Sequence, residues 1–361
     1  MKTRAAVCRA FGQPLEIEEV ALAEPAQGEI RVAIKACAIC HSDIFFWQGA
    51  WGGELPAVYG HEAAGVVEAV GPGVTRIKPG DHVVATLIRS CGGCPSCAGG
   101  APVFCEEVFP LDRESPLKAR DGQSLVHGMR IAAFAEHVIV DQSQVAAIPK
   151  DLPFDVASLI ASGVLTGFGA VVNTAGVGAG ASVVVIGCGG VGLNSVQGAR
   201  VAGAAPIIAV DVAPSKLEAA KAFGATHTID AKTEDVAARV AEITGGRKAD
   251  FVFVTVGIAG AAEQAISLMK RNGAVVLVGM PPSGVRAAFD PGWLAADGQR
   301  ILGSKMGSAR LPVDVPKLVE LYRDGRLKLD ELITERFPFE RINDAIASSR
   351  AGAALRNVVV F

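Results

Sequence analysis

The chain is short of aromatic residues, of net charge and of any apolar leader. Only 6% of its 361 residues are Phe, Trp or Tyr, against 42 glycines. Aliphatic side chains must therefore supply the core, and the backbone must turn tightly and often, as in an α/β protein. A net charge of -3 leaves no broad basic field, which argues against a nucleic-acid partner. Met1-Lys2-Thr3-Arg4 runs into a mixed segment with Arg9 and Glu16, so no secretory signal is expected there. The most apolar stretches, such as 182–186, read as far too short to cross a bilayer. No membrane partner is expected, and a cytoplasmic protein is. A length of 361 residues is too great for one ordinary core and suits two domains.

The first 160 residues read as short strands between turns, at 29–37, 64–70, 82–86 and 136–140. From about Ser182 the grammar changes. The runs SVVVIG, PIIAVD, FVFVTV and AVVLVG read as buried parallel strands. Between them, 191–202, 215–223, 236–243 and 261–270 have helical periodicity. Repeated β-α units imply a doubly wound parallel sheet with helices on both faces. Beyond about Met306 a helix at 315–324 and a last strand at 357–360 follow, and that strand is expected to return to the first domain.

Gly187-Cys188-Gly189-Gly190-Val191-Gly192 follows the strand SVVVI and opens a helix. The first glycine permits the turn, the second lets backbone approach a pyrophosphate, and the third lets helix and strand pack closely. The helix N-terminus offers free N–H groups to the phosphates. Asp211 ends the next strand about 20 residues on, as an acid for the adenosine ribose 2′-OH should. A carboxylate there favours NAD over NADP. Lys216 reads equally well as a ribose contact or as a solvated helix residue.

The eight cysteines divide unevenly. Cys91, Cys94, Cys97 and Cys105 share one short loop, and such a cluster reads as metal binding rather than cross-linking. Four thiolates at this spacing suit a tetrahedral structural zinc; an iron–sulfur cluster could use the same donors. A second constellation joins Cys40-His41-Ser42-Asp43 to Gly60-His61-Glu62. Cys40 offers a thiolate, His61 a nitrogen, and Asp43 a carboxylate that can fix the imidazole.

These motifs, with Leu355-Arg356-Asn357, resemble the zinc-dependent alcohol dehydrogenases of the medium-chain dehydrogenase/reductase family over essentially the whole chain. The resemblance implies a GroES-like, mainly β catalytic domain (1–163 and 307–361) and a Rossmann NAD-binding domain (164–306). It makes Cys40 and His61 catalytic zinc ligands and Ser42 the start of a proton relay. It places His41 and Arg356 on the pyrophosphate and Val191 and Thr166 near the nicotinamide. It also implies a homodimer that pairs edge strands of the cofactor domains.

The sequence departs from that pattern at three places. Ser162 stands where the family carries its third zinc ligand, a cysteine, and a neutral hydroxyl is a poor zinc donor. Either Glu62 ligates directly, as in related polyol dehydrogenases, or the site is weakened, or the chemistry has become zinc-independent. Phe45 replaces a histidine that relays protons in many relatives. Trp51 stands where dehydrogenases of glutathione adducts carry an acid. With Phe45, Phe46, Trp47 and Leu87 it suggests an apolar pocket, or else core. The expected activity interconverts a hydrophobic or aromatic primary alcohol and its aldehyde by hydride transfer to NAD. The alternatives are an NAD(P)H-dependent reductase of activated alkenes and a non-catalytic NAD(H)-binding protein. His127 reads as a solvated loop histidine, with reach to the substrate as the other option.

Overall fold

The computed structural model describes all 361 residues, which form two compact units. The first comprises Met1–Ser162, Arg310–Gly325 and Leu329–Phe361. Its main sheet has strand Glu29–Ala38 at the centre, flanked by Glu62–Val70 and by the C-terminal strand Arg356–Val360. The chain end does return to this unit: Val358 pairs with Ala38 and Val359 with Cys37. This arrangement positions the site. Cys40 follows the central strand directly, while Glu62 and Arg356 open the strands on either side of it. A smaller sheet is built on the hairpin of Lys2–Cys8 and Glu16–Leu22, which the sequence reading did not find.

The second unit, Gly163–Ala309 with Arg326–Lys328, is the Rossmann domain. Its six strands are all parallel, with Val183–Ile186 and Ala249–Val254 at the centre and Arg300–Gly303 at one edge. The spatial order is that of the doubly wound dinucleotide-binding fold. All four residues of Val183–Ile186 are buried, which explains an apolar run without alternation. Three helices fall within one residue of their predicted bounds: Gly190–Val201, Pro214–Phe223 and Val236–Ile243. The fourth begins and ends two residues earlier than expected, Ala259–Leu268, because strand Met269–Leu277 takes the following residues.

Two expectations fail. Residues Phe154–Ala175 form a 22-residue helical run that is apolar and long enough to span a membrane, so the apolar stretches are not all short. Most of it is buried inside the protein, as a core helix would be. It is broken by π turns at Ile160–Val164 and Ala170–Ala175, and Ser162 sits on the first.

His127 is not a solvated loop histidine. Both ring nitrogens are shielded from solvent and have no hydrogen-bond partner. Nearby Arg89 is itself buried, held by Gln144, Asp112 and the Arg130 carbonyl. Burial, aided by the Arg89 charge, pushes His127 down to about 3. The unfolded chain then binds a proton below about pH 6.5 that the folded chain refuses until about pH 3. Stability from this group is complete above pH 6.5 and is lost as pH falls toward 3. By linkage the loss between pH 7 and pH 4 is about 3 kcal/mol at most. Urea denaturation of His127→Phe over that range should show a shallower decline with acid than the wild type. Parallel declines would refute this account.

Candidate functional site

The metal cluster grows from two local devices. Cys40 precedes helix His41–Trp47, and Asp43, in its first turn, accepts the Cys40 backbone N–H at 3.0 Å. Such a carboxylate satisfies an N–H that the helix leaves open. Its other oxygen accepts from Gly60 N at 3.1 Å and pairs with His61 Nδ1 at 2.9 Å. One buried carboxylate therefore caps the helix that carries Cys40 and orients the imidazole. Gly60 has φ +90, and a Cβ there would stand 2.6 Å from Phe134 N. Only glycine lets the chain turn so that His61 meets Asp43.

Cys40, His61 and Glu62 are all buried, with one donor atom of each within 4.8 Å of the others. Burial alone would push His61 down, but Asp43 and Cys40 override it and hold the imidazole well above its ordinary range. Burial raises Glu62 in turn, against the opposing pull of Arg356 and His61. One Glu62 oxygen pairs with Arg356 Nη2, while Oε1 is buried with no partner at all. A carboxylate oxygen left bare in the interior is costly, and a cation ligated there would satisfy it. Thiolate, imidazole and carboxylate are also zinc's donors, so the residues present fit the ion. Ser162 is buried at the end of the same unit.

The four-cysteine loop fits a second ion. The Sγ atoms of Cys91, Cys94, Cys97 and Cys105 lie within 4.8 Å of one another. Backbone N–H groups already point at sulfur: Cys94 N to Cys91 Sγ at 3.2 Å, Cys91 N to Cys105 Sγ at 3.3 Å. The N–H groups of Glu106 and Cys97 pull the Cys94 thiol down to about 6. Desolvation and the neighbouring sulfurs push Cys97 up to about 12. Thiolate is the form that binds metal.

The glycine motif occupies the turn between strand Val183–Ile186 and helix Gly190–Val201. A Cβ on Gly192 would collide with the Gly187 carbonyl oxygen, which is the close helix–strand packing that the third glycine allows. Around Gly189 the space is open, as an approaching diphosphate needs. Asp211 Oδ2 accepts from Cys188 N at 2.7 Å, and Oδ1 accepts from Val212 N and Ala213 N. The acid thus ties the second strand to the glycine turn, a structural duty that spacing did not reveal. Val191 and Lys216 lie half-buried on their helices. Thr166 Oγ1 lies 3.7 Å from Met306 Sδ, and Met306 begins three consecutive residues with positive φ. No local signal marked that turn.

The aromatic residues separate into two groups. Trp47 is core: it is buried, donates to the Gln13 carbonyl at 2.6 Å and lies under Arg350. Phe45 and Trp51 meet edge to face at 5.1 Å, and the exposed His41 ring lies across Phe45. Phe46 joins Trp51 to Tyr59.

Residues 26–150 match the alcohol dehydrogenase GroES-like domain, and residues 190–324 the zinc-binding dehydrogenase domain. An alcohol dehydrogenase class-3 from Cereibacter sphaeroides is 40% identical, with 100% of each chain covered. An S-(hydroxymethyl)glutathione dehydrogenase from Paracoccus denitrificans is 38% identical, again over 100% of each. The crystal structure of benzyl alcohol dehydrogenase from Acinetobacter calcoaceticus superposes with a TM-score of 0.93 at 34% identity, covering 100% of this chain and 99% of that one. Likeness of this extent, on a fold and donor set of the same kind, makes the chain an oxidoreductase acting on alcohols, a member of the zinc-dependent alcohol dehydrogenases of the medium-chain dehydrogenase/reductase family.

Proposed function

We propose that the chain interconverts a hydrophobic or aromatic primary alcohol and its aldehyde, with NAD as the hydride carrier. The observation that carries this reading is the buried Cys40–His61–Glu62 donor set with its bare Glu62 oxygen. When bound, zinc would supply Lewis-acid polarisation of the substrate oxygen and NAD the hydride acceptor. The chain's own residues do the rest. Cys40, His61 and Glu62 hold the ion, with Ser162 at the sequence position of the family's third ligand. Asp43 keeps His61 Nε2 free for metal by engaging Nδ1. Ser42, two residues beyond Cys40 on the helix it opens, takes the proton that the alcohol gives up and passes it outward. With Phe45 in place of the relay histidine, that proton leaves by way of ribose, His41 or solvent. Cys91, Cys94, Cys97 and Cys105 hold a structural zinc.

Gly187, Gly189, Gly190 and Gly192 cradle the diphosphate, with the exposed His41 as a further polar contact; the Arg356 guanidinium, which the family resemblance puts on the diphosphate, is here buried against Glu62. Val191 and Thr166 bound the nicotinamide, and Asp211 and Lys216 the adenosine ribose. The Phe45–Trp51 pair favours an apolar substrate over a glutathione adduct. Eight free cysteines suit a reducing compartment, the cytoplasm, and edge strand Arg300–Gly303 suits a homodimer.

The test is zinc content of freshly purified protein with NADH formation from benzyl alcohol. Metal in both sites and saturable turnover support the reading. Zinc in the four-cysteine loop alone, with turnover of an enone by NAD(P)H, would replace it with the alkene-reductase reading. Asp211→Gly should weaken NAD about 10- to 100-fold, since a charge-assisted hydrogen bond is worth roughly 1.5–3 kcal/mol. NADP should lose less, since relief of the carboxylate's repulsion offsets the loss of the tie from Asp211 to the glycine turn. Equal losses for both cofactors would remove Asp211 from the ribose site.

A further inference from the structure

Three residues other than glycine carry positive φ within one short turn: Met129 at +52, Arg130 at +66 and Ala132 at +55. An L-residue held there is strained, and such strain persists only where the surroundings enforce it. Here the Arg130 carbonyl is where the turn is held. It accepts Arg89 Nη2 at 3.0 Å and Gln144 Nε2 at 2.9 Å, one donor for each lone pair. The Arg89 side chain is fully buried and is fixed at its other corners by Gln144 Oε1 at 2.8 Å and Asp112 Oδ1 at 2.9 Å. A planar fork bonded on three sides cannot follow the turn if it relaxes.

The other side of the turn packs backbone against backbone. Val126–His127 pairs with Ala57–Val58, and a Cβ on Gly128 would stand 2.3 Å from the Val58 carbonyl oxygen. Ala133 N donates to the Gly60 carbonyl at 2.9 Å, and Phe134 N to that of Tyr59 at 2.8 Å. Gly60 N in turn donates to Asp43, the carboxylate that orients His61. The Gly60 backbone is thus held between the strained turn and the metal cluster. We propose that Arg89 is a positioning residue for His61: by gripping the Arg130 carbonyl it keeps the turn left-handed, and the turn fixes the Gly60 backbone from which His61 projects. This rests on the dehydrogenase reading above, in which His61 holds the metal.

The test is metal affinity of the full-length protein by chelator competition with zinc, and the visible spectrum of cobalt at the Cys40–His61 site. Arg89→Met should weaken that site about 10-fold, the lower end of what losing a residue behind a ligand costs. It should also change the cobalt spectrum. The fold should survive, because Arg130 Nε, 3.2 Å from Asp112, still pairs with the carboxylate. Arg89→Lys keeps the charge without the fork, so it should lose part of the affinity with less strain on the fold. Where Met129→Gly and Ala132→Gly have removed the cost of positive φ, Arg89→Met should cost little. Unchanged affinity in both Arg89 variants, or an equal loss in the glycine background, would overturn the proposal alone. So would the same spectral change in Cys97→Ala, which would route the effect through the cysteine loop. A wild-type chain that takes metal only at the four cysteines would overturn the dehydrogenase reading with it.

Discussion

Replacing Cys40 by serine should lower kcat/KM for alcohol oxidation by on the order of 10³-fold or more, while the four-cysteine loop keeps its metal. The donor set decides the size of the effect. Position 162 already offers a hydroxyl, and a second hydroxyl at 40 would leave only His61 and Glu62 as strong ligands. Neutral hydroxyls hold zinc poorly. Lewis-acid polarisation is worth several kcal/mol, and each 1.36 kcal/mol is tenfold in rate. The fold should survive. The substitution changes one atom, and the Cys40 backbone N–H still reaches Asp43. Cofactor binding should survive too, because the glycine motif belongs to the other unit. Nicotinamide fluorescence and circular dichroism would verify both. A Cys40→Ser protein that keeps a tenth of its activity would mean that the chemistry does not run through this cluster.

Sequence reasoning did well where one period dominates and poorly where contact depends on register. Helix Val236–Ile243 is readable because Val236 and Val240 face the core and Asp235 caps it. Strand Val183–Ile186 is readable because both its faces are covered. Phe154–Ala175 is apolar all round, so no face announces it, and its π turns disturb what period there is. Trp47 and Trp51 look alike in sequence. Four residues separate a hydrogen-bonded core indole at the end of the helix from one in the following turn that meets Phe45. The Cys40–His61–Glu62 grouping was readable from motifs because Asp43 and Gly60 act locally. The Arg356–Glu62 pair was not, since it exists only once three strands are in register. The same limit hid the surroundings of His127, whose neighbour Arg89 comes from a distant loop.

Stripping the metal from the four-cysteine loop should expose residues 91–105 to protease at least about 100-fold faster, with a much smaller change in global melting. Within this segment only Val103 is buried, so apolar packing cannot hold it. Its helix Pro95–Ala98 is a single turn, too short to persist unaided. What remains is thiol chemistry. Four Sγ atoms converge, backbone N–H groups point at them, and Cys94 is already drawn toward thiolate. A bound ion would lock that geometry. Losing roughly 3 kcal/mol of local protection is about a hundredfold in the open population, and structural zinc sites commonly contribute more. Cys97→Ala should mimic the chelator, and adding zinc should protect the wild type but not the variant. Cleavage elsewhere in the chain at unchanged rates would confine the effect to the loop. Equal cleavage of 91–105 with and without metal would show that the loop is held by something other than its sulfurs.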